Sequence, residues 1–464
     1  MNDRIREPAF QKMMFQLGDD LADKTIKAIH KEHGLGQVSS ILSGLIRNTD
    51  INGLENEKGI HPSFVDTQKY PQKSDRVQAA KHISKVLSDY LEKSVAQLPV
   101  ALKGGLLKTS EEVFNKYGMV AFSILGCASL PEAYATTYAS RVLATTQQLQ
   151  AHVHRRLAET SLFVVDVMTE NGLKKPDGVG IRAAQKVRLM HAAIRHLILQ
   201  PPDANAVDNT QRNLGDVLRQ MTWPAELGIP IHQVSMSMAI LSFSYIVLRS
   251  LRKLGIDLSP TQEKAYLYRW NSIARIMGVN PDLLLTDPEP TMDEAEEMYS
   301  AVWPPAVGET PQGRALEKAL LDYLEGFVPK TLAPLNRIPR ILTRELIGAK
   351  MARTLDIDLG FADNLGLQAM RAAAGLHRYG KNLANVLGIN VDWIDNAGLQ
   401  LMKGSMGLEH LNPESVDEFP PVRIAAEWLF RTMAKQFPEM QRGGNRAPFK
   451  IPDTLTEPPT TKPK

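Results

Sequence analysis

The stretch Ile181-Arg-Ala-Ala-Gln-Lys-Val-Arg-Leu-Met-His-Ala-Ala-Ile-Arg-His-Leu-Ile-Leu199 sets the fold class. Ala184, Val187, His191, Ile194 and Ile198 follow one another at intervals of three and four, the spacing of a single helix face. A face this apolar packs against a neighbour, so His191 sits where solvent does not supply hydrogen bonds. Two readings of that imidazole stand side by side: a core histidine satisfied by hydrogen bonds, or a metal ligand through a neutral ring nitrogen.

The same period extends in both directions. It predicts helices over 7–31, 38–47, 74–97, 110–126, 131–170, 209–220, 230–254, 260–277, 292–300, 311–326, 337–355, 362–387 and 419–436, while strand-type alternation is nearly absent. The expected class is therefore all-α. Breaks fall at 171–180, Pro201-Pro202, Asp287-Pro-Glu-Pro290 and Trp303-Pro-Pro305, where proline or glycine stops a helix. These divide the chain into an N-terminal helical extension (1–100), a core (101–290), a C-terminal helical region packed on that core (291–442) and a tail (443–464). The tail has too little apolar surface to order itself.

Composition excludes several function classes. Lys and Arg total 54 against 51 for Asp and Glu, a net charge of +3, too balanced for a nucleic-acid-binding surface. The single cysteine, Cys127, rules out an internal disulfide, a Cys-x-x-Cys redox pair and cysteine-ligated clusters, so a metal would need His, Asp, Glu or a cofactor ring. Val234 to Leu248 is free of charges over 15 residues, but a helix of that length reaches about 22 Å against about 30 Å of hydrocarbon. It reads as a core helix, with peripheral membrane contact left open. The N-terminus shows no export signal, and the expected location is the cytoplasm.

Common catalytic motifs fail on context. Gly404-Ser-Met-Gly407 has the wrong spacing for a nucleophile elbow, and Gly178-Val-Gly-Ile-Arg-Ala183 follows Lys174-Lys-Pro-Asp177 rather than a buried strand, so it is a helix-entry loop. No His-Glu-x-x-His or Glu-x-x-His helix motif occurs. His30-Lys-Glu-His33, on an amphipathic helix, reads as a solvated pair rather than a metal site. On the expected helix 131–170, Arg156 and Thr160 interrupt a stripe otherwise made of Leu149, Val153, Val164 and Val167. An arginine there needs an anion, which a cofactor carboxylate or a protein carboxylate would supply, or else it extends its charged end to solvent.

Five blocks together carry a resemblance: Cys127-Ala-Ser-Leu-Pro-Glu-Ala-Tyr134, Arg155-Arg-Leu-Ala-Glu-Thr160 with Phe163-Val-Val-Asp-Val-Met168, Lys186-Val-Arg-Leu-Met-His-Ala-Ala-Ile-Arg195, Trp223-Pro-Ala-Glu-Leu-Gly-Ile-Pro-Ile-His-Gln233, and Ala265 to Gly278. Over roughly 115–285 they resemble the latex-clearing protein (rubber oxygenase) and MpaB-type oxygenase family. The resemblance implies a globin-like helical core with flanking helices, b-type haem, and cleavage of a carbon-carbon double bond in an isoprenoid-like substrate with dioxygen. It implies His191 as the ligand to the haem iron and Arg156 and Thr160 on the opposite, distal side. Where the latex-clearing enzymes carry a lysine, this chain has Glu159; where they carry a candidate glutamate base, the alignment reaches Ser140, with Glu132 the nearest upstream carboxylate. Glu159 is either a solvent-facing or arginine-paired carboxylate, or the proton acceptor, since apolar surroundings raise a carboxyl pKa. Cytoplasmic location would favour a smaller apolar substrate over bulk latex. The competing class is a haem protein without catalysis, a gas or redox sensor.

Overall fold

The computed structural model describes residues 3–46, 65–66, 69–98, 102–145, 153–201, 214–326, 337–360, 363–364 and 368. Their helices are α1 (Pro8–Met14), α2 (Asp20–Ile46), α3 (Lys73–Ala96), α4 (Gly104–Ile124), α5 (Leu130–Tyr134), α6 (Thr137–Thr145), α7 (Val153–Met168), α8 (Val179–Ile198), α9 (Leu214–Arg219), α10 (Gln233–Phe243), α11 (Tyr245–Lys253), α12 (Pro260–Ile276), α13 (Met292–Val302), α14 (Pro311–Glu325) and α15 (Ile338–Thr354). A buried π-helical turn, Leu125–Ser129, joins α4 to α5. Among the described residues there is no β-strand, and the protein is all-α as the periodicity requires. The expected helices 362–387 and 419–436 and the tail 443–464 lie outside the described residues.

The helix starts follow local chemistry. Ser259 accepts from the Gln262 amide while the Gln262 side chain accepts from the Ser259 amide, so Ser-Pro-Thr-Gln forms a capping box at the head of α12. Thr291 and Thr310 cap α13 and α14 in the same manner, each accepting from the amide three residues on.

Three expected boundaries are corrected. The helix predicted over 131–170 breaks after α5, because Ala135 and Thr136 are taken up by the segment before α14: Gly308 N–H donates to the Ala135 carbonyl at 2.9 Å, and Thr136 bridges Val307. The helix predicted over 230–254 bends at Ser244 (φ −107°, ψ −81°). At the N-terminus, 15–19 fall between α1 and α2, whereas 32–37, the gap between the expected helices 7–31 and 38–47, is spanned by α2 across a kink at Gly34 (φ 81°), a conformation glycine adopts without steric cost.

Helix α8 lies between two apolar clusters. Its first turns, Ile181 and Ala184, join the larger one, built from α1, α4 to α7 and α10 to α15; Leu189 to Ile198 join the other, with α2, α3 and α9. It therefore packs on α2, α7, α9 and α12. A Cβ at Gly180 would come within 2.6 Å of the Asp166 carbonyl oxygen, so only glycine lets α8 start this close to the end of α7. The other end of that contact is held by Arg269 of α12. This fully buried guanidinium donates to the Val167 and Thr169 carbonyls at 2.8 Å each and to Glu111 of α4 at 2.8 Å. It thereby closes the α7 C-terminus, where carbonyls lack helical partners.

The kinked pair α10–α11 is the one described helix long and apolar enough to cross a bilayer, with a second candidate if the bent pair spanning 104–134 is counted. The apolar window of α10–α11 is 72% buried inside the fold, as expected of a core helix.

Arg188, in the middle of α8, is sealed from solvent with Asp19: Nη2 donates to Asp19 Oδ1 at 2.8 Å, Nε donates to Oδ2, and Nη1 donates to Gln97 at 3.0 Å and to the Ile276 carbonyl at 3.2 Å. Asp19→Ala leaves that cation buried without its anion and is expected to cost about 3–5 kcal/mol in urea unfolding. The double change Asp19→Ala, Arg188→Met should recover much of the loss; a single-variant loss under about 1 kcal/mol would place the pair with exposed ion pairs instead.

Candidate functional site

Helices α7 and α8 pack against each other and carry the residues singled out from the sequence. His191 is half-buried on α8 rather than sealed in the core, and its Nδ1 is shut off from solvent. It is one turn from the Arg188–Asp19 pair, which holds the helix under it. The half-buried positions of α8 recur each turn as 182–183, 186–187 and 190–191. On α7 they run from Glu159 through Phe163, ahead of the buried Val164 and Val167. The pair of helices thus presents an imidazole, a hydroxyl and a carboxylate along half-covered surface, while the flanks are closely packed.

Position along α7 separates the roles. Arg156 and Thr160 are one turn apart and share a face, whereas Glu159 is turned about 100° from Thr160 and aligns with Phe163. The side chain of Arg156 lies outside the described residues. Phe163 meets Phe243 of α10 edge-on (centroids 6.3 Å, 62°), and Phe243 stacks on Trp270 of α12 (4.9 Å, 13°). Three helices of the resemblance therefore share one aromatic wall. Met236, Met238 and Tyr245 of the same kinked pair are core residues, whereas Phe243 is half-buried.

Neither alternative base position offers a free carboxylate. Ser140 is fully buried on α6 with its hydroxyl 3.1 Å from that of Thr310. Glu132 is buried on α5 with both oxygens committed, one to Arg249 and the other accepting from Tyr299 at 2.6 Å. Burial pushes its carboxyl upward, opposed by the Arg249 charge. The group fastens α5 to α11 and α13.

The other histidine within these blocks, His232, is the N-cap of α10, with Nδ1 accepting from the Ser235 amide at 3.1 Å. The rings of Phe15 and Tyr138 close on it from centroids 4.6 Å away, and burial lowers its pKa to about 3. It is a structural cap, closed to any large ligand.

Comparison with known proteins places the segment that contains α7 and α8 in a family. Residues 116–377 match the family described as ER-bound oxygenase mpaB/B'/Rubber oxygenase, catalytic domain, more than half of the 464 residues. The chain belongs to this family. The match runs well past 285, where the sequence resemblance fades, and takes in α13 to α15. The rubber oxygenase of Streptomyces sp. (strain K30) is 29% identical over 217 residues, 47% of this chain and 45% of that protein, so the aligned part spans under half the relative's length. The latex clearing protein LCP, in a structure titled as its closed state, superposes with a TM-score of 0.58 at 18% identity, covering 94% of this chain and 95% of the other. That likeness is one of fold and extends over nearly the whole family member.

Sequence reading missed Glu317. It lies on α14 with both carboxylate oxygens buried and without hydrogen-bond partners among the described residues. Burial, opposed by Arg340, raises its pKa to about 8. The signal was present: Gly313, Glu317 and Leu321 are spaced by four, on the face completed by Leu320 and Leu324. Because the folded carboxyl binds its proton far above the unfolded value of 4.5, the native state holds the extra proton between about pH 4.5 and 8, and stability falls as pH rises through that window. Glu317→Gln should flatten this fall by more than about 1 kcal/mol between pH 5 and 8, one pKa unit being worth about 1.4 kcal/mol. Parallel curves for the two proteins in urea titrations would show that Glu317 does not titrate there.

Proposed function

We propose that this chain is a haem b-dependent oxygenase that uses dioxygen to cleave a carbon-carbon double bond in an apolar, isoprenoid-like substrate. The observation that supports it most is that α8, on which His191 is half-buried, packs against α7, the helix that carries Thr160 and Glu159. The donor set fits haem: one neutral-type nitrogen ligand on a rigid helix, polar groups on a second helix packed on the first, and apolar residues around both. Family membership and the rubber oxygenase among the relatives supply the reaction class.

His191 would hold the iron through one ring nitrogen, and the bound haem would supply the oxygen chemistry. The chain's own contribution is positional. Thr160 presents a hydroxyl able to donate or accept a hydrogen bond, and Arg156, on the same face of α7, adds a fixed positive charge for the carboxylate edge of the cofactor or for charge that develops during reaction. Glu159 points off that face. It replaces a cation by an anion at this position, so its role is that of a proton acceptor at the margin of the site, not a closing ligand. Phe163 and Phe243, the latter backed by the buried Trp270, would keep water from the apolar substrate and hold it by contact area.

Reconstitution with haem should give a Soret band that His191→Ala loses or strongly perturbs. Arg156→Ala and Thr160→Ala should keep the band and lose oxygen uptake on isoprenoid oligomers, and Glu159→Gln should slow turnover by about 10²- to 10⁴-fold. A protein that never takes up haem would end this reading. Haem uptake with no oxygen consumption across a panel of alkenes would leave the sensor reading in its place, and full activity in Glu159→Gln would remove that residue from proton transfer.

A further inference from the structure

The pair His30-Lys-Glu-His33, read from sequence as solvated, is not. His33 is 6% exposed and packs from α2 against α3; His30 pairs instead with His196 of α8, Nδ1 to Nε2 at 2.9 Å. Around His33 four side chains form one chain of contacts: Tyr70 Oη to His33 Nδ1 at 2.7 Å, His33 Nε2 to His82 Nδ1 at 2.8 Å, and His82 Nε2 to Glu32 Oε2 at 3.2 Å. One potential ligand atom from each of Glu32, His33 and His82 lies within 4.8 Å of the others. These residues precede the segment that matches the oxygenase family, and the inference is independent of the haem reading.

The fold builds this cluster. The kink at Gly34 ends the first part of α2 at His33. It also leaves room beside Gly36 for Asp66, where a Cβ would come within 2.2 Å of the Asp66 carboxylate. The Asp66 amide donates to Gln37 Oε1 at 2.9 Å, and the Asp66 carbonyl accepts from the Tyr70 amide at 3.1 Å, which brings Tyr70 onto His33. Helix α3 then supplies His82 from the other side.

We propose that His33 Nε2 and His82 Nδ1 form a binding site for a first-row divalent metal ion of the zinc type. Two nitrogens on a tetrahedral zinc, each about 2.0–2.1 Å from the metal, stand about 3.3 Å apart. The pair needs to open by roughly half an ångström. No proton has to leave. His82 already carries its proton on Nε2 if it donates to Glu32, which leaves Nδ1 with a lone pair. His33 frees Nε2 by moving its proton to Nδ1, where the Tyr70 oxygen accepts it. Both rings then have their outer nitrogen held, one by a carboxylate and one by a hydroxyl, the arrangement that orients metal-bound imidazoles and raises their basicity. Glu32 also adds negative charge beside the cation, and water completes the coordination. Among the described residues the His30–His196 pair has no such carboxylate partner, and it serves as the internal comparison.

The test is calorimetric titration of the full chain with Zn²⁺ after removal of adventitious metal by chelator. One equivalent should bind and raise the melting temperature, since the ion ties α2 to α3. Glu32→Gln and His82→Gln, both at partly exposed positions that leave the core unchanged, should weaken binding at least tenfold, and His33→Ala should abolish it. His30→Ala and His191→Ala should bind Zn²⁺ as the parent does, which separates this site from the proposed haem ligand. No Zn²⁺ binding by the parent chain, binding unchanged in His82→Gln, or loss in His30→Ala instead would each overturn the assignment.

Discussion

Arg188 cannot be buried without an anion, and much of the architecture answers that requirement. Taking a guanidinium out of water costs several kcal/mol unless charge and hydrogen bonds replace the solvent. Asp19 supplies the charge from the turn between α1 and α2, Gln97 an acceptor from just beyond α3, and the Ile276 carbonyl another from the end of α12. Three segments distant in sequence are thereby fixed on one turn of α8. Two turns on, Arg195 repeats the arrangement with Asp23 and the Pro230 and Ile231 carbonyls. The segment that carries His191 is thus clamped on both sides of the imidazole, and the ring is presented by a helix with little freedom to shift.

The opposite helix is fixed by different means. Arg269 occupies the last carbonyls of α7, and Gly180 brings the start of α8 against the same end. The C-terminal turns of α7 are therefore immobilised, while Glu159 and Thr160 lie two or more turns back, on half-covered surface. The polar groups of α7 thus keep their helical register without lying in the core.

Elements with local signals were legible in the sequence. Helices α8, α12, α14 and α15 follow from apolar periodicity and from caps such as Ser259-x-x-Gln262, and the candidate helices α7 and α8 were both found. The break at Ala135–Thr136 was not, since no residue there disfavours helix; the competing partner is the Gly308 amide, about 170 residues away in the chain. Distance in sequence also hid the fate of the polar groups. Glu132 looks like an available carboxylate until Arg249 and Tyr299 are brought to it, and His33 looks solvated until α3 and Tyr70 cover it. Glu317 is the exception, because its spacing with Gly313 and Leu321 already places it on a buried helix face.

These cases share one physical rule. A polar residue on an apolar stripe is a statement about what must meet it, and the sequence shows the demand but not the supplier. For Arg188 and Arg269 the suppliers are carboxylates and helix-terminal carbonyls, and the groups are structural. Glu132 is answered by an arginine and a tyrosine, and it too is structural. His191 differs in being only half-covered, on a helix that Arg188 and Arg195 hold firmly on either side of it. Partial exposure on a rigid helix is what sets His191 apart from these structural groups, and it is the property on which the proposed role rests.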